Sequence, residues 1–166
     1  FFCERPATTE NDTLPRHDAL PSGGHAPMQD LLKSPALGRL LADFHQRNKT
    51  TALVCHGPIA LLSTLPDSNG FVAKLEAGAT PATPKWIYSG YQMTVISNQE
   101  EEQAKPMLGG GEMKFYPQTA LQRAGAKFSS STTPWTGHVV VDRKLSTGQS
   151  PASALEVGQR WTERLK

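Results

Sequence analysis

Cys55 is the residue of this 166-residue chain whose surroundings most suggest chemistry. The short apolar run 52–54 ends at Cys55, and His56-Gly57-Pro58 then leads into a second apolar run that suits a helix. A tight turn between a strand and a helix exposes the turn side chain beside the positive end of the helix dipole. A thiol placed there is favoured to ionise and attack electrophiles. The residues alone leave a second interpretation open, a buried core cysteine at a strand end.

An acidic cluster, residues 100–102, follows the next apolar segment at 93–96. On the residues alone, the favoured interpretation is a solvated first turn of a helix, where acidic side chains are stabilised by the helix dipole. No histidine and carboxylate fall at a metal spacing such as His-Glu-x-x-His, and Gly109-Gly110-Gly111 lacks the Lys-Ser/Thr of a phosphate loop. We therefore expect no metal and no cofactor.

Five stretches of the chain, in order, resemble the ThiJ/PfpI superfamily, the class I glutamine amidotransferase-like proteins. Within it, the chain is most similar to the branch of stress chaperones and glutathione-independent glyoxalases. The resemblance covers roughly residue 18 to the C-terminus, and its motifs lie at 23–31, 52–58, 90–101, 138–142 and 145–153.

The resemblance implies a catalytic triad. Cys55 is the nucleophile, and His56 pairs with an acidic residue after the next strand, which aligns best with Glu101 or else with Glu100. A carboxylate there fixes the imidazole tautomer and raises its basicity. Because His56 is adjacent in sequence to Cys55, we expect it to deprotonate the thiol poorly if its ring points across the turn.

The turn at Gly23-Gly24 and His25 is a second candidate part of the site. Backbone N–H groups of Gly24 and His56 suit an oxyanion hole that faces the Cys55 sulfur. The alternative is a plain turn, since glycines are common in turns. His25 is interpreted as lining the substrate site, with a capping or structural role about as well supported.

Apolar and polar segments alternate in a way that predicts strands interleaved with helices. This order is typical of an α/β fold, here a flavodoxin-like parallel sheet with helices on both faces and a nucleophile elbow. Predicted helices span 35 to about 47, 58–63, about 71–76 and 117–124, with a last one from Pro151. Predicted strands span 51–54, 93–96, 139–141 and 145–147, the last two as a hairpin.

We expect one domain over residues 1–166, irregular at 1–17, with a lid-like excursion at 64–86 that is longer than most connections. The resembled family has further strands at the N-terminus and a Glu that hydrogen-bonds its nucleophilic cysteine, and no residue here matches that Glu. A parallel sheet without its first strand exposes apolar surface and an unpaired edge. We therefore expect that N-terminal strands are missing, because the chain is a fragment or its sequence is incomplete.

The formal charge of +2 is too small to favour nucleic acid or an anionic membrane surface, and no apolar stretch approaches membrane-spanning length. Two cysteines, Cys3 and Cys55, give no disulfide framework. We interpret both as reduced thiols in a cytoplasmic protein. The resemblance adds the expectation of a homodimer.

Three functions compete at this point. The first is a glutathione-independent glyoxalase of the D-lactate dehydratase type, which uses Cys55 on a small reactive carbonyl such as methylglyoxal. The second is a stress chaperone, redox sensor or protein deglycase. The third is a cysteine peptidase or amidase. The adjacent Cys-His pair and the acidic cluster after the next strand favour the glyoxalase.

Overall fold

The computed structural model describes residues 25–108 and 113–164, with the backbone alone at residues 26, 107 and 108. The α-helices are α1 (Pro35–Gln46), α2 (Ser68–Glu76), α3 (Asn98–Ala104), α4 (Pro117–Ala124) and α5 (Ala154–Glu163). The strands are β1 (Thr51–Val54), β2 (Gln92–Met93), β3 (Lys127–Phe128), β4 (Val139–Asp142) and β5 (Leu145–Gly148). Short 3₁₀ helices span Ala26–Met28, Leu31–Lys33, Gly57–Thr64, Lys105–Leu108 and Pro151–Ser153.

Some sequence-based predictions lie outside these residues, namely those for 1–17, for Cys3, for Gly24 and for the glycines at 109–111. In the part of the chain that is described, no helix is both long and apolar enough to cross a membrane.

The strands form two small sheets. β1 runs parallel to β5, with Thr51 opposite Leu145 and Val54 opposite Gly148, and β4 lies antiparallel on the other side of β5. β2 and β3 form a separate parallel pair. The α/β class is confirmed, but the larger sheet is mixed rather than wholly parallel. The reason is local, since β4 and β5 are joined by a hairpin, and a short hairpin connection makes its two strands antiparallel.

The strand predicted at 93–96 pairs over a shorter length than expected. Only Gln92–Met93 bonds to β3. Beyond it, the N–H of Thr94 donates to Oγ1 of Thr147 at 2.9 Å, and the N–H of Ile96 donates to the carbonyl of Cys55 at 3.1 Å. This segment therefore leaves the β2–β3 ladder and passes beside the elbow, which brings the first turn of α3 next to Cys55.

β1 and the 3₁₀ helix after it form the centre of the core. All of β1 is buried, and so is the segment 57–63. The helix predicted at 58–63 is present, with 3₁₀ rather than α geometry over Gly57–Thr64. α1 packs against it, with Leu37, Leu41 and Phe44 buried. The elbow thus rests on a packed apolar support on both sides of Cys55.

The excursion at 64–86 is anchored to the core by its own apolar residues. α2 buries Phe71, Val72 and Leu75, and the indole N–H of Trp86 donates to Oγ1 of Thr64 at 2.8 Å. These contacts fix both ends of the segment beside the Gly57–Thr64 helix. Its placement as a lid over the site stays a prediction.

Two glycines are expected to respond to alanine in opposite directions. Gly125 ends α4 with a φ of 108°, and a Cβ there would lie 2.7 Å from Oγ of Ser89, so Gly125→Ala should destabilise the fold by about 1–2 kcal/mol. Gly158 lies inside α5, where an added Cβ meets nothing within 4 Å. Gly158→Ala should therefore stabilise by about 0.5–1 kcal/mol. Urea unfolding of both variants measures the signs, and a loss of stability in Gly158→Ala would contradict this account of α5.

Candidate active site

Cys55 follows β1 directly and has a backbone φ of 61°, in the left-handed region that residues other than glycine rarely adopt. Such a conformation costs about 1–3 kcal/mol and persists only where the surroundings hold it. Here the N–H of Cys55 donates to the carbonyl of Gly148 at 2.9 Å, and its own carbonyl accepts from Ile96 at 3.1 Å. β5 and the segment after β2 therefore fix the turn from both sides, in the elbow geometry that the sequence predicts.

His56 joins the cysteine to a carboxylate. Its Nδ1 lies 3.3 Å from Sγ of Cys55, and its Nε2 lies 2.6 Å from Oε1 of Glu101. The ring thus points along the turn and not across it, so the expected obstacle to proton transfer from the neighbouring thiol is absent. Sulfur, imidazole and carboxylate form one continuous hydrogen-bonded chain, with the order that nucleophile, base and orienting acid require.

The three groups are shielded from solvent. Cys55 is 8% exposed, His56 is 2% exposed and Glu101 is 1% exposed. Burial by itself lowers the pKa of His56, but hydrogen bonds to Cys55 and Glu101, together with their negative charge, outweigh it and raise that pKa to about 9. The ring is therefore an imidazolium at neutral pH, and its Nδ1 faces Sγ of Cys55 at 3.3 Å.

Glu101 is positioned by the first turn of α3. Ser97 caps this helix, with its Oγ accepting from the N–H of Glu100 at 3.2 Å, while the N–H of Ser97 donates to Oε2 of Glu100 at 2.8 Å. This reciprocal capping box fixes the helix start. The next residue, Glu101, is thereby turned toward His56.

Glu100 has a different role from the substrate-lining one predicted for it. Its Oε2 serves the capping box, and its Oε1 accepts from the backbone N–H of Trp135 at 2.7 Å. Trp135 has a φ of 62°, so this bond holds a strained residue in place. Because both carboxylate oxygens of the fully buried Glu100 are engaged by the protein, its contacts do not support a role in binding substrate.

His25 lies beside these three hydrogen-bonded groups. Its Nε2 is 3.4 Å from Oε2 of Glu101, and its ring lies 4.2 Å from that of His56, centroid to centroid. The side chain is 38% exposed, so it connects the buried pair to the surface. The substrate-lining role of His25 stays a prediction. The oxyanion hole predicted from Gly24 lies partly outside the described residues and stays a prediction.

Three possible metal-ligating side chains meet here, which the sequence analysis did not anticipate. One ligand atom each from His25, His56 and Glu101 lies within 4.8 Å of the others. The residues are separated by 31 and 45 positions along the chain, so no motif with local spacing reveals them. Only the fold brings them together.

This combination of a parallel β1–β5 pair, a strained cysteine at the turn after β1 and a His-Glu pair beside it defines an α/β protein with a cysteine-bearing elbow. No protein-family model matches the chain. Comparisons with individual curated proteins and with solved structures do find relatives. The homologues are glutamine amidotransferase-like class 1 domain proteins, glutathione-independent glyoxalases and HchA deglycases, and the solved structures with the same fold include a DJ-1/ThiJ/PfpI-like domain.

Three relatives illustrate the range. A glutamine amidotransferase-like class 1 domain-containing protein 1 of Bos taurus is 33% identical over 93% of this chain and 62% of its own length. A probable glutathione-independent glyoxalase of Schizosaccharomyces pombe is 30% identical over 80% of this chain and 47% of its own length. The protein/nucleic acid deglycase HchA of Staphylococcus aureus is 29% identical over 82% of this chain and 42% of its own length. The chain therefore spans about half the length of the curated relatives it matches.

Solved structures agree on the fold. Glyoxalase III of Candida albicans superposes with a TM-score of 0.67 at 18% identity, over 89% of this chain and 56% of that one. A two-domain protein of Anabaena variabilis with DJ-1/ThiJ/PfpI-like and ferritin-like domains superposes with a TM-score of 0.53 at 21% identity, over 90% of this chain and 30% of that one. At these identities the likeness shows the architecture alone.

Proposed function

We propose that the chain is a cysteine-dependent, glutathione-independent glyoxalase that converts methylglyoxal to D-lactate. The observation that carries this proposal is the continuous hydrogen-bonded chain from Sγ of Cys55 through His56 to Glu101. A glyoxalase needs a nucleophile and one group that both accepts and returns a proton. Cys55 is the candidate nucleophile and His56 the group that transfers the proton, and Glu101 orients the imidazole of His56.

The reaction begins with the Cys55 thiolate adding to the aldehyde carbon of methylglyoxal. The carbonyl oxygen takes a proton from the His56 imidazolium, which gives a hemithioacetal and leaves His56 neutral. Neutral His56 then removes the hydrogen from that carbon to give an enediolate and returns a proton to the neighbouring carbon, while the hydroxyl hydrogen of the hemithioacetal passes to the ketone oxygen. The first carbon is thereby oxidised to a thioester and the second reduced to an alcohol, with no external oxidant. Water hydrolyses the thioester, which releases lactate and restores the thiol.

Burial of the sulfur favours a small substrate. With 8% of Cys55 exposed and its partner His56 almost fully enclosed, a two- or three-carbon carbonyl compound reaches Sγ more readily than a folded polypeptide chain does. This argues against the peptidase alternative. A homodimer, suggested by the resemblance, and a cytoplasmic location, suggested by the two cysteines interpreted as reduced thiols, belong to the same proposal, as does the expectation that nucleic acid is not a partner.

A second candidate activity is deglycation, favoured by the HchA deglycases among the relatives. It uses the same addition of a thiolate to a carbonyl-derived carbon, with the amine of a modified side chain or base as the leaving group. The two activities are distinguished by the substrate, free methylglyoxal or a preformed methylglyoxal adduct.

Lactate formation from methylglyoxal without glutathione is the test. We expect the folded chain to produce D-lactate in proportion to protein concentration, measured with a stereospecific lactate dehydrogenase. Product formation is the proper readout, because surface Lys and Arg also consume methylglyoxal without making lactate. If the chain is folded by circular dichroism and produces no lactate, the glyoxalase proposal is wrong, and release of amine from a methylglyoxal-modified peptide then tests deglycation.

A further inference from the structure

We propose that His25, His56 and Glu101 form a binding site for a divalent transition-metal cation of the Zn²⁺ type. Two imidazoles and one carboxylate are a common ligand set for such an ion, with a fourth position left for water. The set contains a single carboxylate, which is too few oxygen ligands for Ca²⁺ or Mg²⁺.

The distances fit this assignment. Zn²⁺ bonds of about 2.0–2.1 Å in a tetrahedral arrangement place ligand atoms about 3.3–3.5 Å apart. In the structure, Nε2 of His25 is 3.4 Å from Oε2 of Glu101, and Nε2 of His56 is 2.6 Å from Oε1 of the same carboxylate. The three ligand atoms all lie within 4.8 Å of one another. Small shifts therefore place a cation among them, at the expense of the two hydrogen bonds to the carboxylate and with release of the proton on Nε2 of the His56 imidazolium.

The surroundings suit a metal site in two further respects. Histidine ligands are held best when their second ring nitrogen makes a hydrogen bond, and Nδ1 of His56 lies 3.3 Å from Sγ of Cys55. Access is provided by His25, which is 38% exposed while Glu101 is 1% exposed. A cation thus reaches the two buried ligands from the His25 side.

Metal binding would act as a reversible block, a consequence that rests on the proposed function. The bound ion occupies Nε2 of His56 and the carboxylate of Glu101, the two groups that the proton transfer requires. We expect Zn²⁺ to stop lactate formation and a chelator to restore it.

The binding itself is tested without any substrate, so its outcome is independent of the glyoxalase proposal. The purified chain is titrated with Co²⁺, whose visible absorption reports tetrahedral coordination, and the Co²⁺ is then displaced by Zn²⁺. We expect His25→Asn and Glu101→Gln to weaken binding by at least about tenfold. His25→Asn is the decisive variant because its side chain is partly exposed and its replacement spares the core.

Two controls define the ligand set. His138→Asn removes a histidine that lies elsewhere and is bonded to Ser129 at 3.0 Å, so it should bind Co²⁺ like the original chain. Cys55→Ala should keep the tetrahedral Co²⁺ spectrum, with its affinity lowered only by the loss of the hydrogen bond to His56. Undiminished binding by His25→Asn would overturn the proposal, and so would its loss in Cys55→Ala together with a thiolate-to-cobalt charge-transfer band in the original chain. No spectral change with Co²⁺ in the folded chain would overturn it as well.

Discussion

The Cys55→Ala variant is expected to form lactate at least about a thousandfold more slowly than the original chain while remaining folded. Removing the sulfur removes the atom that bonds to the substrate, and no other described thiol lies in the site. Alanine fits the backbone turn as cysteine does, because both carry a single Cβ at a φ of 61°. The measurement is the initial rate of D-lactate formation, with thermal unfolding to check the fold.

The second cysteine of the sequence provides the matched control. Cys3→Ala removes a thiol as well, and it should keep the original rate, whereas Cys55→Ser, which keeps the size but offers a much weaker nucleophile, should be nearly as slow as Cys55→Ala. If Cys3→Ala is slow and Cys55→Ala stays active, the nucleophile is Cys3 and the proposed role of Cys55 is wrong.

The same variant has a readout that does not depend on turnover. The hydrogen bond that Nδ1 of His56 donates to Sγ of Cys55 and the negative charge of that sulfur are among the causes that raise the pKa of His56 to about 9. Cys55→Ala removes both and leaves the opposing effect of burial, so the pKa of His56 should fall. Titration of the imidazole C–H signals by NMR measures this shift. An unchanged pKa would mean that the sulfur and the ring do not interact in solution.

The elements around the site were predictable because each is specified by local chemistry. α1 begins with Ser34 as its cap and Pro35 in its first turn. α4 ends at Gly125, whose φ of 108° is free of strain only for glycine. The bounds of β1 and of α4 in the structure match those predicted. Signals of this kind act over a few residues and do not depend on what packs against the element.

The sheet shows where local signals end. The alternation of elements predicts parallel pairing, and the hairpin formed by β4 and β5 is visible in the sequence too, but the mixed sheet that results depends on which strand lies beside β1. Likewise, the residues after Met93 look like a continuing strand. Their N–H groups instead go to Thr147 and Cys55, which are distant in sequence.

The resemblance ranks Glu101 before Glu100 as the partner of His56 without deciding between them. Adjacent residues in the first turn of a helix point about 100° apart, so only one can face His56. The capping box settles which, because Ser97 binds the residue three positions on, Glu100, and leaves Glu101 to turn inward. The pattern Ser-x-x-Glu was present in the sequence, and reading it as a cap would have assigned the triad to Glu101 alone.

Glu101→Gln is expected to lower the rate of lactate formation by about 10²–10⁴-fold, as the loss of an orienting carboxylate does in other nucleophile–histidine sites. The amide has nearly the same shape, so the packing around the fully buried side chain is kept. The negative charge that stabilises the imidazolium at 2.6 Å is lost, and His56 is no longer held in one tautomer.

Glu102→Gln is the matched control, since it neutralises the next carboxylate along the same helix. Glu102 is exposed and bonds to Lys105 and Tyr116 rather than to the site, so this variant should keep the original rate. The contrast between the two variants separates a specific role from a general effect of charge on α3. Equal rates for Glu101→Gln and Glu102→Gln would remove Glu101 from the mechanism. His56 would then have no orienting carboxylate, because Glu100 is already bonded to Ser97 and Trp135.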